Sequence, residues 1–273
     1  MKALLVSCLV MLTMVPIAFA QDRSDHKAEI KAHRDALRQE RQNGPGPNAN
    51  VSPAAVTAAD VGEPDSFGRN AKFLGIAASG AVLIDPTCDP ADIGPLGPDD
   101  HCITVPDPSV PVPATTFSDV ARITIPGKSA DNIIYAIANH TISFDLINTD
   151  AASTQCRISY APSVTIESEA LNDPSLIDPT TGLPFNGSFT TGGVGTYSTN
   201  KMLASGAFEF QTQSYSRANT TGFSRSFFAG LGLPDHAINQ LYKKPMTIRL
   251  NVRVSSRCVD SAVLIFTIRF LGN

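Results

Sequence analysis

The sequence has no tryptophan and only five tyrosines, and aromatic residues make up 7% of it. Without indole rings the strongest stacking surface for sugars is missing, so a saccharide reading rests on tyrosines and phenylalanines that the core also needs. Charged residues are sparse too, at 17%. Loss of Lys2 with an N-terminal leader takes the 21 basic residues to 20 against 25 acidic ones, five net negative charges. Neither nucleic acid nor an anionic membrane is expected as a partner of such a chain.

Nucleophile motifs are also missing. No Gly-x-Ser-x-Gly elbow occurs, and Ser198 to Lys201 has the Ser-x-x-Lys spacing without the motifs that accompany it in β-lactamases. Gly127-Lys128-Ser129 has the ending of a phosphate-binding loop, but Arg122 stands where its first glycine belongs. Cys-x-x-Cys is absent as well.

What is present begins with a leader. Lys2 precedes an apolar stretch from Ala3 to Ala20, and Ala18-Phe19-Ala20 supplies small residues before Gln21. This is the pattern of a secretory signal peptide cleaved after Ala20. The stretch approaches the roughly 20 residues of a membrane span, but Pro16 and the small-residue exit favour cleavage, and no span is expected after it. Leu5-Val6-Ser7-Cys8 resembles a lipobox, yet it sits too early in the apolar run. A secreted or periplasmic location follows.

Cleavage leaves Cys88, Cys102, Cys156 and Cys258, an even number in an oxidising compartment, and four cysteines allow three pairings. Cys88 with Cys102 closes a local proline-rich loop. Cys156 shares a strand face with Ile158 and Tyr160, and Cys258 falls on the apolar set that begins at Met246, so both sulfurs point inward and can bond. A bulge at Ser255 or Ser256 would break that parity.

Residues 1–20 are read as signal peptide, 21–64 as a charged arm followed by a Gly/Pro/Ala-rich linker without a packed core, and 65–273 as one disulfide-stapled β domain. Met246, Ile248, Leu250, Val252 and Val254 alternate with polar residues, and Leu264, Phe266, Ile268 and Phe270 do the same. The last two strands are expected to form a hairpin about Asp260. Further strands are expected at Ala81–Ile84, Ala121–Ile125, Ile133–Ile137, Thr141–Asn148, Gln155–Tyr160, Ser163–Glu169 and Ser205–Ser214. Short strands between turn residues predict an all-β fold, an antiparallel β-sandwich of barrel-like or jelly-roll-like form. One short helix is expected near 234–244, with Pro234 at its start, Pro245 at its end, and Ala237, Ile238, Leu241 and Tyr242 buried.

Candidate sites are few. Asp85 to Pro113 holds eight of the twenty prolines, so a loop excursion closed by Cys88 and Cys102 is expected there. Its Asp89, Asp92, Asp99 and Asp100 offer the carboxylate oxygens that calcium prefers, without the EF-hand spacing; no other cofactor is indicated. His101 beside Asp99 and Asp100 is a thin zinc set, since an oxidised Cys102 has no thiolate to give. Glu167 and Glu169 share a strand face near glycosidase carboxyl spacing. Glu209 and Asp145 fit the wet side of half-buried strands, and His140 a surface or packing role. Thr190–Thr196 with Tyr197 and Ser198, and the segment from Gln211 through Ser214, Tyr215, Ser216 and Arg217, have the hydroxyl-and-tyrosine make-up of adaptable recognition surfaces.

Two functional classes stay open. One is a secreted or periplasmic non-enzymatic module with a binding or structural role, its partner another protein or a surface glycan. The other is a secreted, glycosidase-like hydrolase on the same scaffold, with Asp99, Asp100, Glu167 or Glu169 converging.

Overall fold

The computed structural model describes residues 71–105, 107–193, 195–218 and 222–273, and the expected leader, arm and linker lie outside them. Among the described residues twelve strands form two sheets. The larger is built on β5 (Ile133–Ile147) and β12 (Val259–Gly272), which pair antiparallel along nearly their whole length. Beyond β5 lie β9 (Phe208–Ala218) and β10 (Phe223–Ser224); beyond β12 lie β1 (Lys72–Ala78) and β2 (Val82–Asp85), with β3 (His101–Thr104) outermost. The smaller sheet runs β4 (Val112–Ile125), β11 (Met246–Arg257), β6 (Thr154–Glu167), and then β7 (Ser188–Gly192) and β8 (Tyr197–Leu203), one after the other along the far edge of β6. The fold is an all-β, antiparallel-rich sandwich, as the alternation predicted.

Even-numbered residues of β5, β6, β11 and β12 face the other sheet, and Ile142, Phe144, Ile158, Tyr160, Val252 and Phe266 there are at most 1% exposed. Burial of this order, at about 25 cal/mol per Å² of apolar area, is the main source of stability. The helix arrives as expected: α3 (Asp235–Lys243) buries Ala237, Ile238, Leu241 and Tyr242 and ends before Pro245. Two shorter helices, α1 (Pro90–Ile93) and α2 (Arg225–Gly230), and a 3₁₀ turn at Glu169–Leu171 complete the described elements.

The expected terminal hairpin does not form. β11 belongs to the smaller sheet and β12 to the larger, and the chain crosses between them at Cys258, whose φ of 62° lies in the left-handed region. One residue is too short a link for two paired strands, but it suffices to turn a continuing strand across the sandwich. At the start of β12 the register against β5 shifts by one between Val259 and Ser261, and the Asp145 carboxylate accepts the Ser261 amide. Asp145 is therefore buried at 1% exposure and not on a wet face.

Pairs of expected short strands fuse. Ile133–Ile137 and Thr141–Ile147 are parts of β5, and Gln155–Tyr160 and Ser163–Glu167 parts of β6, despite Pro162; the strand ends at Glu167, so Glu169 falls in the 3₁₀ turn and does not share a strand face with Glu167 as expected. A proline in a central strand lacks a ladder donor. Pro162 falls in the gap between the segments paired to β8 and β7, and its carbonyl accepts from Gly193 at 2.9 Å, so its nitrogen side meets the seam and the β11 ladder stays intact.

The proline-rich excursion holds more order than expected. Its proline-free stretch, His101–Thr104, adds a strand parallel to β2. The Cys88–Cys102 bridge and Ile93 of α1 cover Leu83 and Val263 on the outer side of the larger sheet, a small second core. Cys156 and Cys258 are bonded too, with Cα atoms 5.1 Å apart. The β6–β11 register runs unbroken to Arg257 opposite Arg157, so the next pair is Cys258 with Cys156; the irregularities of β11 fall on its β4 side. Both expected pairings are those of the structure, and the second joins adjacent strands where the chain leaves one sheet for the other.

Candidate functional site

The two segments with recognition-surface composition meet. β8 and β9 are edge strands of opposite sheets, and between them Lys201 pairs with Glu209, while the Tyr197 and Tyr215 rings lie 5.3 Å apart. Glu209 lies opposite Leu146, on the inner side of β9, which reverses its expected place on a wet face. At this edge the inner side meets β8 and not the apolar core. A polar ladder suits it: Gln211 donates to Glu209 at 2.6 Å, and Tyr215 donates to Gln213. Lys201 and Gln211 hold the Glu209 carboxyl below the usual carboxylate range.

Behind the ladder His140 is buried inside β5, a packing residue and not a surface one. Its Nδ1 is 3.0 Å from the Tyr160 hydroxyl, and its ring lies 5.0 Å from that of Phe266. Gly195 closes over it: at φ 83° a Cβ there would come within 2.4 Å of His140 Cε1, so only glycine fits. Burial pushes the Tyr197 phenol up to about 12 and raises Tyr160 and Tyr242 further. These phenols ionise near pH 10 in an unfolded chain, so the stability they contribute is whole below about pH 10 and is lost as pH climbs through their folded values. In a spectrophotometric titration, phenolate absorbance should stay incomplete at about pH 11 and reach its full value only as the protein unfolds. Full ionisation with native circular dichroism would contradict this.

Next to this cluster, on the outer side of the smaller sheet, lies a groove of about 650 Å³. Pro111 to Ala114, entering β4, form one wall, and Thr196 to Ser198 form the other. Its floor is the odd-numbered side of β6 and β11, with Arg157, Ser159, Ala161, Arg253 and Ser255. In register this face reads as rows: Ser255, Ser159 and Ser198 in one, all lining the groove, and Arg257, Arg157 and Asn200 in the next, of which Arg157 lines it.

Further along this face the charges are balanced. Arg122 and Arg249 lie opposite one another, and Asp119 and Glu167 pair with them. Asn251 ties three strands there, accepting from the Asp119 amide and donating to Thr165, each at 2.9 Å.

The sequence-chosen acids are dispersed over this frame. Asp89 caps α1 through the Ala91 amide, and Asp92 lies 3.3 Å from the Thr87 hydroxyl. Asp100 accepts from Ala81 and Gly97 at 2.7 and 2.8 Å, holding the excursion against β2; Asp99 precedes it in the same turn. Among the described residues no group of three or more His, Cys, Asp or Glu is placed to hold a metal ion. Glu167 is paired with Arg249 and Glu169 with Lys244, and none of the four hydrolase acids lines the groove. Sequence reasoning reached Thr196–Ser198 but not Arg157, Arg253 or Arg257. Their alternation marked them only as wet-face residues, and nothing short of the strand register joins them.

No protein-family model matches the chain, and no curated protein does. Among solved structures it is similar to the VP2 subviral particle of infectious bursal disease virus, at 9% identity and a TM-score of 0.22 over 59% of this chain. It is likewise similar to a mutant VP2 of that virus in T=1 particles, at 11% identity and a TM-score of 0.20 over 60% of this chain. The chain spans 28% of the length of each. Scores of this size do not establish a shared fold.

Proposed function

We propose that this chain is an exported recognition module whose ligand seat is the groove on the outer face of the smaller sheet. The observation that carries this reading is the groove itself: about 650 Å³, within the range of small-ligand sites, with a floor on two paired strands and walls from two separate segments. Sites on strands hold side chains more firmly than sites on loops alone. Two disulfides fit an oxidising compartment and keep such a scaffold intact outside the cytosol.

Ala161 is exposed at the centre of the floor, so Ala161→Trp fills the groove without entering the core. Wild-type and variant protein, compared on arrays of glycans and extracellular protein domains, should share a thermal midpoint, while the variant loses the wild type's ligands. Equal binding by both would remove the groove as the seat.

A further inference from the structure

We propose that the groove takes an anionic oligosaccharide, one carrying carboxylate or sulfate groups, on Arg157 and Arg253; this inference rests on the groove reading above. The outer face of the smaller sheet carries two arginine pairs directly opposite one another on neighbouring strands, Arg122 with Arg249 and Arg157 with Arg257. Like charges in that position repel. The first pair is neutralised by Asp119 and Glu167. The second has Asp150, 3.6 Å from Arg257, and nothing equivalent for Arg157. Among the described residues neither Arg157 nor Arg253 has an ion-pair partner, and both are exposed on the groove floor. A chain with four net negative charges therefore keeps an unbalanced cationic patch in this groove.

A guanidinium presents two parallel donors that fit a pair of oxygens on one anionic group, so carboxylate and sulfate are the chemistry this patch recognises. The rest of the floor favours a saccharide over an acidic peptide. Its strands β6 and β11 are each paired along both sides, so the floor offers no free ladder for an added peptide strand. Ser159, Ser198 and Ser255 supply short donors and acceptors suited to sugar hydroxyls. Arg157 lies four residues along β6 from Ala161, the partner of Arg253, about 13 Å, so a ligand meeting both arginines is an oligomer and not a single sugar.

The test uses the mature protein and three titrants: a sulfated oligosaccharide, a carboxylated one and a neutral one of equal length, with a polyglutamate peptide as competitor. At least one anionic sugar should bind, more weakly as salt is raised. Arg157→Gln with Arg253→Gln should weaken it at least tenfold at an unchanged thermal midpoint, whereas Arg122→Gln at the balanced end should leave it unaltered. Which anionic sugar binds more tightly separates carboxylate from sulfate recognition. Absence of binding by both anionic sugars, equal binding by the double variant, or tighter binding of polyglutamate overturns the inference. If a neutral sugar or a protein binds, is lost in Ala161→Trp and is kept by the double variant, the groove reading stands and the anionic one falls.

Discussion

Replacing Cys156 and Cys258 together by serine should lower the thermal midpoint by about 10–20 °C. The bridge spans 102 residues, and closing a loop of about 100 removes chain entropy worth roughly 4.7 kcal/mol from the unfolded state. In a domain of about 200 residues each kcal/mol moves the midpoint by about 2–4 °C. The folded side adds to this, because both cysteines are at most 1% exposed and sit where β11 turns into β12. The Cys88–Cys102 bridge spans only 14 residues, worth roughly 3 kcal/mol, and its partly exposed sulfurs cover a four-residue core of Ala81, Leu83, Ile93 and Val263. Its removal should cost visibly less. Calorimetry of the two double variants settles the order, and a larger loss for the local bridge would mean that the sheet crossing at Cys258 is wrongly placed.

Phe266→Ala should destabilise the protein by about 3–5 kcal/mol, the range for removing a buried phenylalanine and leaving a cavity. Phe266 is 1% exposed at the middle of β12, with its ring 5.0 Å from that of His140 and 5.4 Å from that of Tyr160. Those two side chains come from β5 and β6, so the ring fills the space where the sheets meet. Their mutual hydrogen bond is buried, and loosening the packing around it wets a polar pair that the ring now shields. Phe266→Leu should recover much of the loss, because it restores apolar volume. Denaturant unfolding of both variants checks this; a loss below about 1 kcal/mol for the alanine would place Phe266 outside the core.

Much of this frame was legible in the residues. The alternation from Met246 to Val254 set the inner side of β11, and its parity carried through to Cys258 and gave the Cys156 pairing. Pro234, Pro245 and the apolar spacing between them marked α3 and its buried side. Alternation does not say which strand lies alongside which, however. The stretch about Asp260 therefore read as a hairpin turn, when a single left-handed residue was carrying the chain to the other sheet. Edge strands were harder still. β8 reads Tyr-Ser-Thr-Asn-Lys-Met-Leu with little apolar contrast, and β9 turns Glu209 and not Phe210 toward the interior because its inner neighbour is Lys201.

The groove shows the same division. Thr196, Tyr197 and Ser198 announced themselves by composition. The arginines did not, because Arg157 is about 100 positions from Arg257 and only pairing of β6 with β11 brings them together. The patch and the second disulfide are thus two consequences of one register.

Non-reducing peptide mapping of the mature protein tests that register most directly. Of the three pairings open to four cysteines, it should find Cys88 linked to Cys102 and Cys156 linked to Cys258, with no free thiol. A peptide joining Cys258 to Cys88 or Cys102, or Cys156 recovered reduced, would separate β6 from β11 and with them the floor of the groove.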